Sequence, residues 1–129
     1  MKHFTLDELT RSATARRLGI DNTPTRQAAA NLKQLVANIL DPLREAYGAP
    51  IYVNSGYRCP ALNRAVGGSA SSQHLTGEAA DITAGSKADN RRLYELLRNL
   101  PVDQAINEHN FAWLHVSYGP RHRRSFFAL

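Results

Sequence analysis

Asp103-Gln104-Ala105-Ile106-Asn107-Glu108-His109-Asn110-Phe111-Ala112-Trp113-Leu114-His115-Val116-Ser117-Tyr118 is the stretch that decides the fold. Residues 103–108 and 112–118 read as two strands with a short loop between them, and strands joined so closely lie antiparallel. Working outward, Ala79 to Thr83 reads as a buried strand, and in residues 50–57 Ile51 and Val53 alternate with Tyr52 and Asn54 as in a further strand. Ser125 to Ala128 is expected as an edge strand. Adjacent strands at the end of the chain, preceded by helices, point to an α+β fold: one antiparallel sheet with helices packed on one side.

The helices announce themselves by caps and periodicity. Thr5-Leu6-Asp7-Glu8 fits a capping box opening a first helix that ends near Gly19. Thr23 is positioned to cap, with Pro24 in the first turn, a helix over about 24–47. Ala29, Leu32, Val36, Ile39, Leu43 and Ala46 form its apolar stripe, Pro42 predicts a kink near Asp41, and Gly48 ends it. Residues 60–66 suit a helical turn and 67–72 a flexible loop. Ser86 to Asp89 can cap another helix with Leu93, Leu96, Leu97 and Leu100 inward, stopped by Pro101.

A chain of 129 residues, 43% hydrophobic and 21% charged, is one globular domain over 1–129. No apolar run is long enough to span a membrane. The opening residues, Met1 to Glu8, have no apolar signal core, so no export signal is expected. A single cysteine, Cys59, excludes a disulfide scaffold and a cysteine-rich zinc finger; followed by Pro60, it reads as an inert thiol. The net charge of +5 favours a polyanionic partner, nucleic acid or an anionic cell envelope. The plainest reading of the one dense cluster, Arg121-His122-Arg123-Arg124, is a solvated surface, and aromatics are not interleaved with it as nucleic-acid stacking requires.

GxGxxG, GxxxxGK[ST], HExxH and GxSxG are all absent. What stands out is polar residues in apolar settings. His74 closes the Ser/Gly loop. Asp81 lies inside Ala79-Ala80-Asp81-Ile82, where an unpaired carboxylate is expensive, and His115 lies inside Trp113-Leu114-His115-Val116. Two imidazoles and a carboxylate suffice to hold zinc with one position open. Spacing alone also allows a satisfied core histidine and a turn acid.

The motifs add to this. Ser55-Gly56-Tyr57-Arg58, Leu62-Asn63, Val66-Gly67-Gly68, Ser72-Gln73-His74 with Gly77, Ala79 and Asp81, and Trp113-Leu114-His115-Val116-Ser117 together resemble the M15 zinc peptidases. That group includes D-Ala-D-Ala carboxypeptidases and phage endolysin peptidases and is related in fold to the Hedgehog signalling domain. The resemblance runs from about Phe4 to Ser117 and is nearest to the compact phage type. It implies one Zn²⁺ per chain held by His74, Asp81 and His115, and it implies that Arg58 grips a peptide carboxylate, a role that suits the planar guanidinium fork. Ser72 and Gln73 would bind substrate, orient the His74 ring or stabilise the loop; Trp113 would line the substrate cleft or serve as core.

The general base is where this chain departs from better-known members, since Ala112 and Trp113 stand where some of them carry an acid or histidine. A four-residue loop from His109 to Ala112 pairs Glu108 with Trp113 and makes Glu108 a diagonal neighbour of His115. Glu108 is therefore the expected base, with an exposed turn glutamate as the alternative, and His109 a weaker candidate for the oxyanion. The implied activity is hydrolysis of peptide bonds in bacterial peptidoglycan stem peptides, as a D,D-carboxypeptidase or an endopeptidase. The expected protein is a monomer, acting at the cell wall after release by a holin or as part of a virion. The alternatives are a non-catalytic zinc module of the same fold and a basic nucleic-acid-binding domain.

Overall fold

The computed structural model describes residues 1–129. In chain order the elements are α1 (Leu6–Thr10), α2 (Ala13–Leu18), α3 (Arg26–Leu35), a π-helical segment (Val36–Leu40), α4 (Asp41–Tyr47), β1 (Tyr52–Ser55) and α5 (Pro60–Ala65). A 3₁₀ turn (Gln73–Thr76), β2 (Ala79–Thr83), α6 (Lys87–Leu97), β3 (Gln104–Glu108), β4 (Trp113–Ser117) and β5 (Ser125–Ala128) follow. The strands form one sheet in the order β1-β2-β4-β3-β5. The expected α+β architecture is the one observed.

Period-two alternation sorts the sheet into two faces. Ala80 and Ile82 of β2, Ala105 of β3, and Leu114 and Val116 of β4 are buried in one core with Leu32, Ile39, Leu43, Leu93 and Leu97 from the helices. Asp81, His115, Ile106 and Glu108 fall on the opposite face. Asp81 stands directly across from His115, His115 across from Ile106, and Glu108 across from Trp113. The apolar alternation that builds the core therefore also places the polar residues together on the other side.

Three local expectations are corrected. The first helix is two: α1 ends at Thr10, and Ser12 caps α2 through its hydroxyl on the Ala15 N–H, although the Thr5–Glu8 capping box and the left-handed Gly19 terminus are present. The cap of the long helix is Thr25, not Thr23; the Thr23 N–H and hydroxyl both donate to Asp21, which leaves Thr25 to accept from the Ala28 N–H. The effect expected of Pro42 takes the form of a π turn. Proline cannot donate to the carbonyl four residues back, and the Asp41 N–H bonds instead to Val36, five back. The extra residue rotates the stripe, so Leu35 and Leu40 are buried while Ala46 is exposed. The buried Asp41 carboxylate accepts from the backbone N–H groups of Lys2 and His3, tying down the N-terminus.

The sheet is not wholly antiparallel: β5 pairs with β3 in parallel. The chain leaves β4, crosses the end of β3 and runs back on its far side, so β5 opposes β4 in direction and therefore matches β3. Gly77 is required where the site-bearing turn meets the helices. Its φ is +75°, and a Cβ there would collide with the Ala28 backbone. Gly77→Ala is expected to destabilise the protein by about 1–3 kcal/mol, read as a lower urea midpoint at unchanged m-value; an unaltered midpoint would contradict the close approach.

Candidate active site

His74, Asp81 and His115 arrive from three elements. The 3₁₀ turn carrying His74 is capped by the Ser72 hydroxyl on the His74 N–H (3.2 Å) and closed by the left-handed Gly77. His74 is 3% exposed, and its ring Nδ1 lies 2.7 Å from the Gly56 carbonyl oxygen. A carbonyl only accepts, so Nδ1 carries the proton and donates, leaving the Nε2 lone pair facing the cleft. That Nε2 lies 3.3 Å from Asp81 Oδ1, and His115 Nδ1 lies 3.1 Å from the same oxygen. The two rings meet edge to face at 5.1 Å.

A nitrogen lone pair and a carboxylate oxygen 3.3 Å apart repel unless a proton or a metal ion sits between them. The three donor atoms all lie within 4.8 Å of one another. Tetrahedral zinc with bonds of about 2.0–2.1 Å sets its ligand atoms about 3.3 Å apart, so the two measured contacts match and the set fits zinc. Burial alone would push the Asp81 carboxyl up; the two imidazoles set against it favour the ionised form more strongly and hold the group well below the usual carboxylate range. Asp81 is thus ionised at neutral pH, as a metal ligand must be.

Arg58 flanks this cluster. Its Nε donates to Ser55 Oγ and its Nη1 to Asn63 Oδ1, both at 3.2 Å, and its Nη2 lies 3.6 Å from Asp81 Oδ2. Asn63 is buried and anchored in turn on the Ser69 carbonyl. Two of the five guanidinium N–H groups are used in these hydrogen bonds, and the others are available to a ligand.

Glu108 ends β3 on the same sheet face and lines the same cleft, of about 660 Å³, as Arg58, His74, Asp81 and His115. Its carboxylate makes no hydrogen bond or ion pair within the chain. The pairing with Trp113 follows from a loop in which His109, Asn110 and Phe111 all have positive φ. Asn107 Oδ1 holds that loop at the Phe111 N–H, and buried Asn90 donates to the Phe111 and Ala112 carbonyls. Trp113 is half-buried beside a smaller pocket it shares with Asn54 and Asp81; its Nε1–H is buried without an acceptor, and its ring lies tilted against His109 with centroids 4.8 Å apart.

Gln73 lines the cleft, but its amide is engaged: Nε2 donates to Asp103 Oδ2 at 2.9 Å, and Oε1 faces Arg123 Nη2 at 3.4 Å. Sequence reasoning missed this network. Asp103 is fully buried and receives the backbone N–H of Arg123 at 2.8 Å and two guanidinium N–H groups at 2.9 Å. Arg124, its neighbour in the basic cluster, is bound to the Leu100 and Arg98 carbonyls. The only signal for this network in sequence was an acid between apolar Val102 and a strand; its partner lies 20 residues downstream.

Hydrogen bonds from Arg123, against the opposing effect of burial, hold the Asp103 carboxyl well below the usual range. A depressed folded-state pKa contributes stability above the unfolded value, near 3.9, and loses it as pH falls through the folded value. Asp103→Asn is therefore expected to lower stability at pH 7 by about 2 kcal/mol. Chemical denaturation should show the gap between variant and wild type narrowing below about pH 4; a gap independent of pH would refute the assignment.

No helix is long and apolar enough to cross a membrane. Over 49 residues, 37% of this chain, the sequence is 47% identical to the zinc D-Ala-D-Ala carboxypeptidase of Streptomyces albus G; the matched part is 19% of that protein's length. The family model of peptidase M15 matches residues 2–117, from the N-terminal anchor through the last strand of the site. A match of that extent, on a fold whose cleft presents a donor set fit for zinc, places the chain in the peptidase M15 family.

Proposed function

We propose that this member of the peptidase M15 family is a zinc peptidase that hydrolyses peptide bonds in peptidoglycan stem peptides, as a D,D-carboxypeptidase or an endopeptidase of the endolysin kind. The observation that carries the reading is the unpartnered Glu108 carboxylate in one cleft with the His74–Asp81–His115 cluster and Arg58. The name of the Streptomyces relative supports the substrate class. A non-catalytic zinc module has no use for an acid with no partner of its own beside the donor set.

In this proposal His74 Nε2, Asp81 and His115 Nδ1 hold the metal. Bound zinc supplies Lewis acidity, which acidifies water and polarises a carbonyl. Glu108 takes the proton of the attacking water and returns it to the leaving amine. Arg58, already oriented by Ser55 and Asn63, fixes a substrate carboxylate and so the register of the scissile bond. The Gly56 carbonyl keeps His74 in the tautomer that can coordinate. Such a substrate lies in the cell wall, so the proposal places the action there, after release from the cell or on a virion.

Purified peptidoglycan digested with the zinc-loaded protein should yield fragments whose masses identify the bond, with loss in chelator and recovery on adding zinc. Glu108→Gln should lower kcat by about 10²–10⁴-fold while one zinc per chain is retained by elemental analysis. His115→Ala should lose the metal itself. Near-normal turnover of Glu108→Gln would remove Glu108 as base, and intact peptidoglycan with wild-type protein would end the reading.

A further inference from the structure

The cleft contains three arginines, and only two have an anion. Arg58 sits against Asp81, and Arg123 is bound by two guanidinium N–H groups to Asp103. Arg121 lines the same cleft, is exposed, and makes no ion pair or hydrogen bond within the chain. Its place is nonetheless set by the backbone. The segment is fixed on one side by the Tyr118 N–H on the Glu78 carbonyl at 2.9 Å, and on the other by the Arg123 N–H on Asp103 Oδ1 at 2.8 Å. Between them the His122 N–H closes a turn on Gly119, and the His122 ring packs on Tyr118. Arg121 is thus held at the apex of a turn anchored at both ends, with its charge uncompensated.

We infer that Arg121 forms a second carboxylate subsite in the cleft, selecting peptides that carry another free carboxylate besides the one gripped by Arg58. This rests on the proposed peptidase reading and deepens it. A cleft of about 660 Å³ is large enough for a ligand that reaches both arginines. One carboxylate satisfies one guanidinium fork; Arg58 keeps N–H groups for one carboxylate besides its contact with Asp81, and the wholly unpaired fork of Arg121 matches a second, so the cleft suits a dianionic ligand. In a stem peptide the α-carboxylate of a γ-linked glutamyl residue has this chemistry, and its amidated form lacks the charge while keeping the shape. Arg121 acts on binding and not on the reacting atoms, so its effect belongs in KM and not in kcat.

The test compares two synthetic stem pentapeptides that differ only in a glutamyl α-carboxylate or α-carboxamide. Affinity is measured by calorimetry on the zinc-loaded Glu108→Gln protein, and steady-state kinetics on the wild type. The acid form is expected to bind about three- to tenfold tighter, the range of an exposed to partly desolvated charged contact, with a matching KM ratio and equal kcat. Arg121→Gln should erase that preference by weakening the acid form alone, Arg121→Lys should keep part of it, and Arg17→Gln, on the exposed end of α2, should leave it intact. Equal affinity for the two peptides in the parent protein, or an equal loss for both in Arg121→Gln, overturns the subsite. Binding selectivity that disappears in Arg121→Gln without cleavage of either peptide by wild type would uphold the subsite and refute the hydrolytic reading.

Discussion

A carboxylate set in the middle of a β-sheet, with only 14% of its side chain exposed, is the constraint on which this structure turns. Asp81 occupies the centre of β2, flanked by apolar residues that belong to the core. A charge there is tolerable only with compensation. Compensation comes from two imidazoles, one across the β2–β4 ladder and one from a turn threaded over the sheet, and from the Arg58 guanidinium. Because the histidines have their own hydrogen-bonding needs, the requirement spreads outward. His74 needs the Gly56 carbonyl, and Gly56 needs to press against the Leu9 backbone with no Cβ in between. The N-terminal helices thereby become part of the support of the site.

The division of the sheet into two faces explains how so small a protein can hold such a cluster. The helices cover one face and supply nearly all the apolar burial, so the other face is free to carry polar groups in register. Sites built on strands are rigid, and of Asp81, His115, Glu108 and His74 the first three are on strands. The fourth, His74, is on a short turn, and the turn is correspondingly reinforced: Ser72 caps it, Gly77 closes it against Ala28, and Gln73 ties it to Asp103.

The C-terminal segment completes the cleft. Asp103 lies just before β3, yet it holds Gln73 from one wall and Arg123 from the other. That single buried carboxylate couples the loop bearing His74 to the strand-return segment bearing Arg121. The basic cluster that reads in sequence as a solvated surface is therefore divided in use: Arg123 and Arg124 stitch the segment down, and Arg121 faces the cleft.

Much of the fold was legible because it rests on local rules. Alternation in 103–118 and the length of the 109–112 loop determined the β3–β4 hairpin and with it the diagonal placement of Glu108 and His115. The Thr5–Glu8 and Ser86–Asp89 patterns determined two helix starts. Residue types in apolar strands, read with the family motifs, picked out the three donors. Other features depended on contacts between segments distant in the chain. The choice of Thr25 over Thr23 as cap follows from competition for hydroxyl hydrogen bonds, and the π turn from how the helix packs around a missing N–H. The parallel pairing of β5, the Gly56–His74 bond and the Asp103–Arg123–Gln73 network exist only once the chain is folded. Periodicity and capping act over a few residues and are written in order along the chain; partners 18, 20 or 30 residues apart meet through the packing of the whole domain.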